Sequence, residues 1–350
     1  MFLGFVAFKL GILATLSFLF AWAWTPFVSH LLAKYRLGKH IRDEQFAPIY
    51  SKLHKAKEST PTMGGVLIWG TTTVIAFLFY YLSVVIPIDF FKNLNFLTRS
   101  QVWLPLGVLI LAALVGAVDD IFNSRMIGPR GGGLQMRHRL LIYTAIAGIG
   151  AWWFFFKLSW DTLHVPFLGD FTIGWWYIPF FMFVIIATAF SVNEIDGLDG
   201  LAGGTLFPSF GAFAAIAIMQ GKYDLAAFCV VIIGALLAFL WLNIYPAKFF
   251  MGDTGSMSLG ITLGVVAMLT NAALLLPIIG FLFMLESLSV IIQVLSKKLR
   301  GAKVFLSSPL HHHLEAKEWS EPTIVMRFWI ISWVTALVGI LIALADRGFH

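Results

Sequence analysis

Residues 225–244 read LAAFCVVIIGALLAFLWLNI, twenty positions without a single charge. That is the length a helix needs to cross the roughly 30 Å of bilayer hydrocarbon. Backbone N–H and C=O groups meet no water in lipid, so such a run closes its hydrogen bonds within itself as a helix. Similar runs recur along all 350 residues. Working outward by hydropathy predicts ten helices, at about 2–24, 64–87, 101–118, 140–156, 174–192, 202–219, 225–244, 257–270, 274–295 and 327–345. The eighth is short and joins the ninth through Thr270-Asn271. Hydrophobic residues make up 59% of the chain and charged residues 12%, about half the charged share of a soluble domain. The expected fold class is therefore an all-α integral membrane protein, one polytopic domain over 1–350. Its longest polar connections, about 25–63 and 296–326, are too short to fold alone, and no internal repeat is evident. The opening MFLGFVAFKL has neither a basic start nor an obvious cleavage site, so it reads as a retained first span. The one cysteine, Cys229, sits inside the quoted run, which excludes a disulfide within the chain.

Lysine and arginine orient the spans. Eighteen of the 24 fall on the odd-numbered connections. They are Lys34, Arg36, Lys39, Arg42, Lys52, Lys55 and Lys57, then Arg125, Arg130, Arg137 and Arg139, then Lys248, then Lys297, Lys298, Arg300, Lys303, Lys317 and Arg327. The even connections and the tail hold Lys92, Arg99, Lys157, Lys222 and Arg347. Odd connections are thus expected in the cytoplasm and both termini in the periplasm. The formal charge of +6 follows from this sorting, and no nucleic-acid partner is implied.

The unusual polar residues sort the same way. Asp119-Asp120 ends the third span, Asn193-Glu-Ile-Asp196-Gly-Leu-Asp199-Gly follows the fifth, Met251-Gly-Asp253-Thr-Gly-Ser follows the seventh, and His311-His312-His313 follows the ninth. Five aspartates and a glutamate on one face repel one another unless basic side chains or a divalent cation neutralise them. Hard oxygen donors suit magnesium, which binds through one or two carboxylates plus substrate phosphates, and no Cys/His spacing suggests zinc. Glycines beside Asp196, Asp199 and Asp253 permit close backbone approach to a phosphate. The chemistry indicated is metal-assisted phosphoryl transfer. Taken singly, each piece has an ordinary reading: a solvated helix end, an Asp-Gly turn, a surface histidine run. Glu286, the one acid deep within a span, is either functional or a hydrogen-bond partner of a neighbouring helix. Co-location on one face carries the inference. A transporter would place its ionisable groups at mid-depth in broken helices, whereas these acids gather at helix ends.

The chain resembles the phospho-N-acetylmuramoyl-pentapeptide-transferase (MraY) family, within the polyprenyl-phosphate N-acetylhexosamine-1-phosphate transferases. The resemblance runs from Thr60-Pro-Thr-Met-Gly-Gly65 through Asp119-Asp120, D-G-L-D-G-L, and N-I-Y-P-A-K-F-F-M-G-D-T-G-S (243–256). It continues through L-E-S-L-S-V-I-I-Q-V (285–294), K-L-R-G (298–301), P-L-H-H-H-L-E (309–315) and R-F-W-I-I-S (327–332). The aspartate motifs mark the larger group, and the P-T-M-G-G and P-x-H-H-H-x-E segments point to the muramoyl-pentapeptide branch.

The resemblance implies transfer of phospho-MurNAc-pentapeptide from UDP-MurNAc-pentapeptide to undecaprenyl phosphate, giving lipid I and UMP. It also implies Mg2+ as cofactor, a multi-pass place in the bacterial inner membrane among its lipids, a homodimer, and a broken or bent ninth helix. By motif position, Asp253 looks like the magnesium ligand, and Asp119 and Asp120 match the essential pair. Asp119 is the better placed to deprotonate or orient the lipid phosphate. Lys57, Gly197, Leu198, Asp199 and Phe250 match positions that hold uridine. Asn193, Asp196, Asn243 and Thr62 match other polar positions of the site. His311 is similar to an essential histidine, and Gln293, His312 and His313 resemble residues toward the sugar–peptide side. Two departures stand out: Asn123 replaces a common lysine, with Arg125 or Arg139 available in its place, and Phe190 replaces an asparagine. The implied chemistry leaves open direct attack by the lipid phosphate or a covalent step through Asp119. The rival enzyme reading is a sibling that transfers GlcNAc-1-phosphate from UDP-GlcNAc, which tends to carry a different histidine loop.

Overall fold

The computed structural model describes residues 2–35, 38, 57, 60–86, 88–97, 100–128 and 132–349. Arg36, Lys39, Arg42, Lys52, Lys55, Arg99 and Arg130, used above for orientation, lie outside the described residues.

The apolar runs become helices: α1 (Phe2–Lys34), α2 (Val66–Val85), the short α3 (Asp89–Leu94), α4 (Ser100–Ser124) and α5 (Met136–Trp152). After a two-stranded hairpin come α6 (Tyr177–Ile195), α7 (Leu201–Met219), α8 (Tyr223–Asn243) and α9 (Asp253–Leu269). The chain ends with α10 (Leu276–Ile279), α11 (Phe281–Arg300), the short α12 (Leu310–Glu315) and α13 (Glu321–Phe349). Among the described residues eight helices are long and apolar enough to cross a membrane, and nine if one bent pair counts as a single span. The protein is therefore a mostly helical, multi-span architecture.

Burial decides which helices form its centre. The most apolar stretches of α7 and α8 are 78% and 72% buried, whereas those of α1 and α13 are 28% buried and turn large apolar side chains outward. α9 has only 17 residues, and every one from Thr254 to Leu269 is buried. It is held between α4 and α6. The fit with α4 is backbone to backbone: a Cβ on Gly116 would lie 2.3 Å from the Asp253 carbonyl oxygen. A helix so enclosed needs neither the length nor the outward face of a lipid-facing span.

Several boundaries differ from the hydropathy reading for physical reasons. α1 continues ten residues past 24 with Pro26 inside it, since neighbouring groups in a membrane helix tolerate the freed carbonyl. α4 runs past 118 through Asp119-Asp120 to Ser124, because both acids are sheltered by protein partners. The ninth region breaks at Gly280, where α10 and α11 meet at an 82° bend. The strands β1 (Thr162–Val165) and β2 (Gly169–Thr172) pair antiparallel, with Leu163 opposite Phe171. Four residues per strand is too short an alternation to read from sequence.

Candidate active site

Three clusters meet at one end of the helices. The first forms where α4 ends and α9 begins. Asp120, almost fully buried, accepts from the backbone amides of Asp253 (3.0 Å) and Thr254 (2.9 Å). A helix N-terminus leaves its first amides unpaired and carries a partial positive charge, so this carboxylate caps α9 and holds it against α4. Thr62 adds a longer contact to the same carboxylate, 3.4 Å. Gly252, at φ 74°, makes the turn possible, and a Cβ there would sit 2.6 Å from Asp120 Oδ2.

Asp119 faces the other way. Its Oδ1 accepts from the Leu134 amide, and its Oδ2 lies 2.6 Å from Arg139 Nη2. The same nitrogen lies 2.7 Å from Asp253 Oδ2. Arg139 Nη1 donates to Asn193 Oδ1 at 2.9 Å, and Asn193 Nδ2 donates to Asp253 Oδ1 and to Ser256 Oγ. One guanidinium thus neutralises carboxylates from α4 and α9, while Asn193 on α6 fixes the second. Removing one side of a pair this buried typically costs about 3–5 kcal/mol.

The second cluster joins the Asp-Gly-Leu-Asp-Gly turn to α13. Lys57 Nζ lies 2.6 Å from Asp199 Oδ1 and 2.5 Å from Glu321 Oε1. Glu321 also accepts from the Asp199 amide (2.7 Å), and Asp199 Oδ2 accepts from the Ala247 amide (3.0 Å). Asn243 accepts from the Gly200 amide and donates to the Phe249 carbonyl. Lys57 sits 5.9 Å from the centre of the Phe250 ring. Phe250 in turn pairs its backbone with Pro61 and Gly64, linking this cluster to Thr62 and the first.

The third cluster gathers on α11 and α12. His311 and Glu286 are both fully buried, with His311 Nδ1 3.2 Å from Glu286 Oε2. Burial works against charge on His311, but Glu286, helped by Glu315 and Glu194, outweighs it and raises the imidazole above its ordinary range. A Cβ on Gly197 would lie 2.2 Å from His311 Nε2, so the histidine abuts the second cluster's turn. His312 Nδ1 pairs with Glu315 at 2.6 Å. Gln293 accepts from the Val304 and Phe305 amides and donates to the Phe305 carbonyl. His313 accepts from the Leu306 amide. Burial, followed by nearby Lys317, holds His313 below its ordinary range.

Residues 102–271 match the family model described as Glycosyl transferase family 4. The chain is 39% identical over 328 residues to the phospho-N-acetylmuramoyl-pentapeptide-transferase of Chloroflexus aggregans, covering 90% of this chain and 84% of that one. It is 39% identical over 333 residues to the protein of that name in Geobacillus thermodenitrificans (93% and 95% covered). A Bacillus anthracis protein of the same name is 38% identical over 339 residues (95% and 98% covered). The chain belongs to the phospho-N-acetylmuramoyl-pentapeptide-transferase family.

Within this family member, the residues singled out from sequence converge but differ in what they are free to do. Asp119, Asp253 and Asn193 share one guanidinium. Asp120 and Thr62 brace the α9 N-terminus. Lys57, Asp199, Asn243 and Phe250 frame the second cluster, with Leu198 buried within the turn and Asp196 at the end of α6. Gln293, His312 and His313 bind the 304–306 strap and Glu315, so here they shape the site's wall. Glu321 joins the site without a motif to mark it; its one signal in sequence is an acid opening the last helix on the same connection as the histidines. Arg139, in sequence no more than an available charge, is the hub of the first cluster.

The donor set also fits a hard divalent cation. Asp119 and Asp253 supply carboxylate oxygens beside a cavity of about 10 Å³, about the room one water or small ion occupies. Among the described residues no third His, Cys, Asp or Glu completes a cage. Magnesium takes its remaining ligands from water and substrate phosphates, so two carboxylates are enough to anchor it. The Arg139 guanidinium stands where the pair demands positive charge.

Proposed function

We propose that this chain transfers phospho-MurNAc-pentapeptide from UDP-MurNAc-pentapeptide to undecaprenyl phosphate, releasing UMP and forming lipid I. The reaction would run on Mg2+ at the cytoplasmic ends of ten spans, with both termini periplasmic, in a bacterial inner membrane and as a homodimer. The observation that carries the reading is the convergence of Asp119 and Asp253 from separate helices on a single cationic nitrogen. That pair marks a point built for positive charge, adjoining a glycine-bearing turn that Lys57 meets at Asp199, an arrangement suited to a nucleotide.

Asp253, with Asp119, would hold the magnesium, which when bound neutralises charge developing on the pyrophosphate. Lys57 and the Asp199 turn bind the uridine end, with the Phe250 ring alongside. Asp119 orients the lipid phosphate and takes its proton if it carries one. A lipid phosphate oxygen then forms a bond to the sugar-bearing phosphorus as the bond from that phosphorus to the UMP oxygen breaks. Positioning and electrostatics supply most of the rate in such transfers. Support for a lipid acceptor comes from α11, which leaves the site with Leu288, Ile292, Leu295 and Leu299 exposed on its surface. It ends at Lys297, Lys298 and Arg300, a basic end suited to a phosphate headgroup.

Replacing Asp253 with Asn tests the assignment. UMP release should fall by several orders of magnitude while donor binding changes little. Near-normal turnover would remove Asp253 from the metal site.

A further inference from the structure

Glu286 and His311 form a buried pair in which one carboxylate faces one imidazole, away from water. Both side chains are 0% exposed. The His311 amide donates to Glu286 Oε1 at 3.2 Å, and its ring Nδ1 lies 3.2 Å from Oε2. Neither ring nitrogen completes a directed hydrogen bond among the described residues, so the contact between ring and carboxylate is one of charge. On its other side, Nε2 is turned onto Gly197 so closely that a Cβ would not fit. A carboxylate this deep is costly to keep ionised unless a cation meets it, and among the described residues the Glu286 carboxylate meets only His311.

We propose that Glu286 is the positioning residue of this site. It holds His311 as an imidazolium with Nε2 against Gly197, giving the Asn193–Gly200 turn a fixed positive charge beneath the donor's pyrophosphate. This rests on the transferase reading above. Other groups facing His311 are Glu315 on its own helix, Glu194 at the end of α6, and the His312 ring, 4.1 Å away between centres. Glu315 is already paired with His312, which leaves Glu286 as the counter-charge in direct contact. Burial alone would discharge the imidazole, so the carboxylate decides its state.

The test is the pH profile of UMP release by the full-length protein in detergent, comparing wild type with Glu286→Gln and Glu286→Asp. Glu286→Gln should move the alkaline limb of kcat toward acid by at least about one pH unit, a tenfold loss at a fixed alkaline pH. Activity should return as pH falls toward 6, with donor KM changing less than kcat, and Glu286→Asp should restore much of the wild-type profile. In a His311→Gln background, Glu286→Gln should shift the limb no further. A loss uniform across pH, or an unchanged profile, overturns the proposal. Thermal unfolding against pH gives a readout without turnover. Wild type should exceed Glu286→Gln most at acid pH, where the raised histidine is charged, and the gap should close as pH rises through its titration. If wild type released no UMP from any donor, the transferase reading would fail, and the unfolding comparison would still decide the role of Glu286.

Discussion

Gly197→Ala adds one methyl group and no charge where the turn meets the histidine. The new Cβ would lie 2.2 Å from His311 Nε2, 3.0 Å from Cε1 and 3.2 Å from Cδ2, against an ordinary contact of 3.4 Å or more. Ring and turn must therefore part by about 1 Å, a shift that close-packed interiors absorb poorly. His311 cannot retreat, because Glu286 behind it is also fully buried. On the other side, Asp199 is latched to Glu321 and to the Ala247 amide. Overpacking of this kind costs about 1–3 kcal/mol of stability. A displacement of about 1 Å near reacting groups costs roughly 100-fold in rate, or about 2.7 kcal/mol of barrier. The assay is UMP release from purified protein, with a thermal unfolding scan to confirm folding. The expected result is a fall in kcat/KM of roughly 100-fold in protein that still unfolds cooperatively. Activity within twofold of wild type would refute the tight contact and the positioning argument built on it.

Two further outcomes follow from contacts outside the motifs. Glu321→Gln keeps an acceptor for the Asp199 amide but removes the charge facing Lys57. Donor KM should rise roughly tenfold or more, the worth of one charge-assisted hydrogen bond of about 1.5–3 kcal/mol, with kcat changing less; an unaltered KM would contradict the latch. At the opposite end, His164 bridges Asp170 (2.8 Å) and Asp346 (2.7 Å), tying the hairpin to α13. Burial opposes its charge, but the hydrogen bonds its ring donates to Asp346 and Asp170 outweigh burial and raise its titration above the ordinary histidine range. Its contribution to stability should be full below about pH 6.5 and lost as pH rises through the raised titration. His164→Ala should flatten that part of the unfolding profile, and an unchanged profile would contradict the bridge.

The spans and the aspartates were legible because each is written locally. An apolar run declares a helix, and an acid at its end on the basic side declares itself out of place. The pairings were not, because they join residues far apart in the chain. Arg139 reaches Asp253 across 114 positions, and Lys57 reaches Glu321 across 264. Residue type alone does not separate Asp120 from Asp119, and motif position favours Asp119 only through the family resemblance. Only the meeting of α4 with the α9 N-terminus makes one a cap and leaves the other turned toward Arg139. Gln293, His312 and His313 look alike in sequence as polar ligands, and their hold on residues 304–306 and Glu315 emerges only once α11 and α12 pack together. The bend at Gly280 came from the family resemblance, since hydropathy reads straight through it. The hairpin was missed because its strands are as short as ordinary turns.

UMP release from the purified protein, with undecaprenyl phosphate as acceptor, decides whether this chain makes lipid I. UDP-MurNAc-pentapeptide and UDP-GlcNAc would be offered as donors, each with magnesium and with chelator. Release is expected from the muramoyl donor alone, abolished by removing magnesium. Release from UDP-GlcNAc alone, or release from the muramoyl donor undiminished by chelator, would contradict it.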